Sequence, residues 1–182
     1  LYTKIMKSQV WLHTLSHHKK IKTEILNLIE KSPSISDINN TNTNVTKTDY
    51  YKMQQTSNYF KVFEDNSPDL YEKLRKTYGF KIIDVDNVWF QQYFNEDIHD
   101  WHTHAKTNLS LVYFVELEKP KDSTEFLDVK NKTSFQLKAK EGDIVIFPSH
   151  IPHRSPKIIS KKRKTVIAIN LSLRGVNDNL LN

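Results

Sequence analysis

Residues 142–153 read Gly-Asp-Ile-Val-Ile-Phe-Pro-Ser-His-Ile-Pro-His, and this stretch decides how the second half of the chain folds. Gly142-Asp143 turns the chain. Ile144–Phe147 is short, apolar and mostly β-branched, which reads as a buried strand. Pro148 has no backbone N–H to continue a ladder and ends it. His153 then follows in a segment stiffened by Pro148 and Pro152.

Working outward, similar short β-rich runs recur: Phe80–Val85, Val88–Phe94, Leu109–Leu117, Glu125–Val129, Ser134–Leu137 and Thr165–Leu173. Turn chemistry separates them at Asp86-Asn87, at residues 119–122 and at Glu141-Gly142. Many short strands with polar turns predict two facing antiparallel sheets, a jelly roll or double-stranded β-helix over residues 80–173.

Upstream the texture is helical. Ile21, Ile25, Leu28 and Ile29 fall at helical spacing, so a helix is expected over 18–31 with Ser16 as its cap. Ser67-Pro68-Asp69 opens a second, over 68–78, and Gly79 closes it in a left-handed conformation. Residues 34–48 are rich in Asn, Ser and Thr and read as a long loop. The expected plan is one domain spanning residues 1–182. Helices and loops over 1–79 pack outside a core over 80–173, and 174–182 form a tail.

The composition supports a globular chain: 182 residues, 37% hydrophobic, 11% aromatic. There are no cysteines, so disulfides and thiolate metal sites are excluded. Any metal site must use nitrogen and oxygen ligands. No apolar run approaches the ~20 residues of a membrane span, and residues 1–12 lack a signal-peptide core. Both point to a cytoplasmic protein with no membrane partner. The net charge of +6 comes from Lys spread along the chain beside many Asn and Ile. That pattern does not single out nucleic acid as a partner. The run Lys161–Lys164 has the look of a nuclear-import or nucleic-acid patch, but it sits where a strand should begin.

Trp101-His102-Thr103-His104 carries the chemistry. On an extended strand, residues i and i+2 face the same way, so His102 and His104 present two imidazoles to one point. Imidazole binds Fe, Zn, Cu and Ni alike. With His153 after a buried strand, the three form a candidate metal-binding and catalytic set.

Residues 87–172 resemble a family of 2-oxoglutarate/Fe(II) oxygenases. Its pattern runs Trp, His-x-His, Leu-Ser-Gly-Val-Tyr-Tyr, Phe-Pro-Ser-x-x-x-His, then a basic residue before a strand ending in Asn. This chain has Trp89, His102-Thr103-His104, Leu109–Phe114, Phe147-Pro148-Ser149 with His153, and Lys164–Asn170. The resemblance implies a jelly roll holding Fe(II), 2-oxoglutarate and O₂, and a hydroxylation of some primary substrate. It places Lys164 as the cation for the cosubstrate, with Tyr113, Ser110 and Gln91 as further cosubstrate contacts. Arg163 is the rival cation, one residue out of register, so alternation would turn it outward. The chain departs from the family at Leu111, where Gly is usual, and at Lys164, where Arg is usual.

The usual triad of two His and one carboxylate is here all histidine. Asp100, at i−2 from His102, is an alternative ligand. Two other readings stay open: a cupin-like three-His dioxygenase or isomerase that does not use 2-oxoglutarate, and a jelly-roll binding module without catalysis. Lys164 separates the first of these from the oxygenase. The substrate is chosen by loops at the barrel mouth, for which residues 34–60 and 119–124 are the candidates.

Overall fold

The computed structural model describes residues 9–39, 42–52 and 57–176. In chain order these form β1 (Trp11–Thr14), α1 (His18–Lys31), β2 (Ile35–Asn39), β3 (Thr43–Thr48), α2 (Asn58–Asp65) and α3 (Pro68–Tyr78). The core follows with β4 (Phe80–Tyr93), β5 (His99–His102), β6 (Leu109–Glu116), a 3-10 turn (Pro120–Asp122), β7 (Glu125–Asp128) and β8 (Thr133–Gln136). It ends with β9 (Asp143–Pro148), β10 (His153–Ser155) and β11 (Lys164–Val176).

The strands make a seven-stranded sheet, β1-β9-β6-β11-β4-β3-β2, and a four-stranded sheet, β5-β10-β7-β8. Pairings between neighbouring strands are antiparallel. This is the double-stranded β-helix that the strand spacing predicts.

Alternation along the central strands sorts side chains into two cores. Phe90, Leu111, Tyr113, Ile144, Ile146, Ile167 and Ile169 face the helices and pack on Ile21, Ile25, Phe63 and Leu70. Phe114, Val145, Phe147 and Val166 face the other way and meet Phe126 of the small sheet. The central strands are covered on both faces, which is why they read as unbroken apolar runs. Each fully buried aliphatic side chain contributes roughly 1.5–3 kcal/mol. On α1, Ile21, Ile25 and Ile29 are buried, as the spacing requires.

Several expectations are corrected. Residues 34–48 are not a loop: β2 and β3 form a hairpin that extends the large sheet at its edge. Helix α2 and strand β1 were not expected, so residues 1–79 supply strands as well as helices. Asp86-Asn87 is not a turn. β4 runs straight through it, with a bulge where Asn170 pairs with Asn87 and Leu171 with Val85. Strand β11 continues past Leu173 to Val176, and the rest of the expected tail lies outside the described residues.

The capping is also mixed. Gly79 closes α3 at φ 69°, as expected. Ser16 does not cap α1, whose N-cap is His17. Ser67 stands at the N-cap of α3, but its hydroxyl donates back to the Phe63 carbonyl and ties α3 to α2.

Candidate metal centre

Two short strands of the small sheet carry His102 and His153, and His104 lies just past the end of the first. β10 begins at His153, which pairs directly with His102 at the end of β5. His104 follows two residues on. One ring nitrogen of each lies within 4.8 Å of the other two. His104 Nε2 and His153 Nε2 are 3.2 Å apart. Two imidazoles bound cis to one ion at ~2.0–2.1 Å would sit about 3 Å apart, so this pair is close to ligand spacing.

The remaining ring nitrogens are held from behind. His102 Nδ1 donates to the Asp100 carbonyl at 2.7 Å, and His153 Nδ1 to the Ile151 carbonyl at 2.9 Å. Those bonds leave each Nε2 with its lone pair toward the cluster, the arrangement that orients metal-binding histidines. His104 Nδ1 faces the Asn170 side-chain amide at 3.4 Å; with Nε2 turned to the other histidines Nδ1 carries the hydrogen, so the amide oxygen is the end that serves it. The other end of the amide is 2.8 Å from Ser110 Oγ, and Ser110 meets Ser149 at 2.9 Å. Burial pushes all three imidazoles below the usual histidine range, His104 to about 4 with help from His102, and His153 well below it. They are therefore neutral near pH 7, the form that binds a metal. The donor set fits one divalent ion of the nitrogen-preferring kind.

Asp100 does not join the cluster. Its carboxylate accepts from the Trp101 backbone N–H at 2.7 Å. Its carbonyl is the part that serves His102.

A fourth histidine lies alongside. The His99 ring stacks on His102 at 4.2 Å, and His99 Nδ1 is 3.3 Å from Gln91 Nε2. Burial and the neighbouring imidazoles lower its pKa to about 3. Plain alternation would put His99 and His102 on opposite faces. The pairing shows why it does not: three steps on β5, from His99 to His102, oppose two on β10, from Ser155 to His153. This bulge brings i and i+3 to one face, and no sequence motif signals it.

Lys164 is 3% exposed and points into the same cavity, which the three histidines also line. Its ammonium donates to Ser155 Oγ at 2.7 Å and stands 4.6 Å from the centre of the Tyr93 ring. Burial lowers its pKa to about 7, opposed by the charge of Asp122. Among the residues lining this cavity there is no carboxylate. A buried ammonium in such surroundings is poised to receive an anion.

Gln91 lines the cavity, its Oε1 accepting from the Tyr93 hydroxyl at 2.9 Å. Ser110 lines it too, holding Asn170. Two candidates do not reach it. Tyr113 lies on the helix-facing side of β6, its hydroxyl 2.7 Å from His18 Nδ1 and its ring against Phe63. It is three residues from Ser110, an odd step, so alternation turns it away. Arg163 also faces outward, paired with Glu116 at 2.8 Å and Glu30 at 2.5 Å. The resemblance did not name Tyr93 and Ser155 because they become partners of Lys164 only across strands.

Residues of both candidate mouth segments approach this cavity. Tyr50 meets Trp89 edge to face at 5.1 Å, and Thr124 lines the cavity wall. Trp89 and Gln91 are set by the residue between them. Thr48 Oγ1 donates to the Phe90 carbonyl at 2.7 Å, and the Phe90 N–H donates to Asp49 at 2.8 Å.

No family model and no curated protein matches this chain. Solved structures do match it. A 2OG-Fe(II) oxygenase family oxidoreductase from Burkholderia pseudomallei superimposes with a TM-score of 0.74 at 7% identity, over 96% of this chain and 90% of that one. A prolyl hydroxylase from Trichoplax adhaerens, in complex with a hypoxia inducible factor peptide fragment, gives 0.68 at 10% identity, over 93% and 86%. HygX from Streptomyces hygroscopicus, with nickel and 2-oxoglutarate bound, gives 0.68 at 8% identity, over 94% and 85%. At such identities the likeness is one of fold. The chain shares the jelly roll of these oxygenases over nearly its whole length. No helix among the described residues is long and apolar enough to cross a membrane.

Proposed function

We propose that this protein is an Fe(II)- and 2-oxoglutarate-dependent oxygenase, a hydroxylase whose metal ligands are His102, His104 and His153. One observation carries the reading: the buried Lys164 ammonium opens into the same acid-free cavity as the three convergent imidazoles. A metal site alone needs no buried cation. A metal-chelated oxoacid with a second carboxylate does.

When bound, Fe(II) with 2-oxoglutarate and O₂ supplies the oxidant; one oxygen goes to the substrate and the cosubstrate leaves as succinate and CO₂. The protein's own part is positioning. The backbone carbonyls of Asp100 and Ile151 hold His102 and His153, and Asn170 backs His104. An ion held by these three nitrogen ligands would keep further positions for the oxoacid and O₂. Lys164, aligned by Ser155, meets the distal carboxylate as a point charge rather than a bidentate fork. Val112, Phe147 and Val166 wall the cavity with apolar surface and limit water. A cytoplasmic setting suits a ferrous centre.

The ligand set also favours a second reading. It contains no carboxylate, as in a three-His cupin-like enzyme that works without 2-oxoglutarate. Anaerobic Fe(II) titration with and without 2-oxoglutarate separates the two. The oxygenase should develop the visible charge-transfer band of the chelate, saturating at one oxoacid per iron. Iron binding without that band would favour the cupin-like reading, and no iron binding would leave a non-catalytic module.

A further inference from the structure

Trp89 is 3% exposed, and its indole N–H has no hydrogen-bond partner among the described residues. Such a donor costs about 1–3 kcal/mol when left unmade. Other polar groups on this side of the cavity are engaged. Gln91 and Tyr93 bond each other, and Lys164 has Ser155.

Its position tells what the missing acceptor is. Trp89, Gln91 and Tyr93 form the inward row of β4. They face Ala168, Val166 and Lys164 of β11, residue for residue. This row is the cavity wall opposite the histidines, so ligands on the open side of the metal lie between the two. The Lys164 ammonium marks one end. Trp89 is two same-face steps along, about 13 Å of strand, and its ring packs against His104 at 5.6 Å. The indole thus stands beside the histidine cluster, while the lysine ammonium is held at the Ser155 end of the row. Tyr50, edge-on at 5.1 Å, holds the ring from the mouth side.

We propose that the Trp89 indole N–H donates to the metal-side carboxylate of the bound 2-oxoacid, fixing its reacting end as Lys164 fixes its distal end. This assignment rests on the oxygenase reading. It makes the cavity a two-point reader of a dicarboxylate, with a neutral donor at one end and a cation at the other. A neutral donor suits the metal end, because the ion already neutralises that carboxylate.

The test uses the full chain loaded with Zn(II), which is diamagnetic, and ¹⁵N-labelled tryptophan. The chain has three indoles, Trp11, Trp89 and Trp101, and Trp89→Phe assigns the signal of interest. If that variant does not fold, Trp11→Phe and Trp101→Phe assign it by elimination. On adding 2-oxoglutarate, the Trp89 indole proton should move downfield, as a donor gaining a charged acceptor does. Pyruvate, which lacks the distal carboxylate, should move it the same way at higher concentration. Trp89→Phe should weaken both oxoacids by about tenfold, the scale of one hydrogen bond to a charged group. Lys164→Ala should weaken 2-oxoglutarate alone.

If 2-oxoglutarate binds the wild type while the Trp89 signal stays still, or Trp89→Phe binds both oxoacids within twofold, the assignment fails and the oxygenase reading stands. If the zinc-loaded wild type binds neither oxoacid, both fail together.

Discussion

Lys164 and Arg163 are adjacent in the chain and face opposite sides of the large sheet. Lys164 is buried against Ser155 and Tyr93, while Arg163 joins Glu116 and Glu30 on the outside. The two cations should therefore behave differently. Lys164→Ala should weaken 2-oxoglutarate binding by roughly 2–4 kcal/mol, the scale for losing one partner of a buried charge pair. Metal affinity should hold. Arg163→Ala should leave cosubstrate binding alone and cost about 1 kcal/mol of stability or less, because its pairs are partly exposed. Chelate-band titrations and urea melts of both variants check this, and the reverse ranking would place the cation on the wrong residue.

Cosubstrate binding should depend on pH through Lys164. Its pKa in the free protein is lowered to about 7 by burial. The anion needs the charged form, so apparent affinity should fall by up to tenfold per pH unit above 7. Folding runs the other way. Between pH 7 and the ordinary lysine range the unfolded chain binds the extra proton, so this group's contribution to stability rises with pH there. Titrations at pH 6.5, 7.5 and 8.5 measure the first trend. A flat profile in the wild type, matching that of Lys164→Ala, would count against it.

Asn170 stands behind His104, its amide 3.4 Å from Nδ1, and outside the three-histidine cluster. Asn170→Leu should lower metal affinity 10–100-fold, the usual loss when such a supporting group is removed. Asn170→Asp, which can accept from His104 Nδ1–H, should keep most of it. Competition against a coloured chelator distinguishes these outcomes, and equal affinity in the leucine variant would show that His104 needs no support.

Tyr113 belongs to the helix-facing core. Tyr113→Phe should cost about 1–3 kcal/mol, because it removes the hydroxyl opposite the buried His18 ring. Cosubstrate affinity should not change. A loss of 2-oxoglutarate binding with stability intact would return Tyr113 to the site.

Gly142 turns into β9 at φ 89°, and a Cβ there would lie 2.9 Å from His18 Cγ. Gly142→Ala should destabilise the fold by more than ~1 kcal/mol, through left-handed backbone strain together with the clash. A thermal midpoint equal to wild type would mean that α1 shifts freely at its start.

The sequence by itself determined the elements whose signals are local. His-x-His spacing pointed to His102 and His104 together, although β5 ends at His102 and His104 reaches the cluster from just beyond the strand; apolar β-branched runs marked β6, β9 and β11. Odd and even positions also separated Lys164 from Arg163. The same parity rule would have separated Tyr113 from Ser110. The polar hairpin β2–β3 was illegible because a strand at a sheet edge carries little of the apolar alternation that marks a buried one. His99 was illegible because a bulge shifts the parity of β5, and bulges answer to the partner strand rather than to local sequence. Only the tertiary structure could give Lys164 its environment. Ser155 and Tyr93 come to it from other strands, and burial between two sheets takes an ordinary lysine out of water and lowers its pKa.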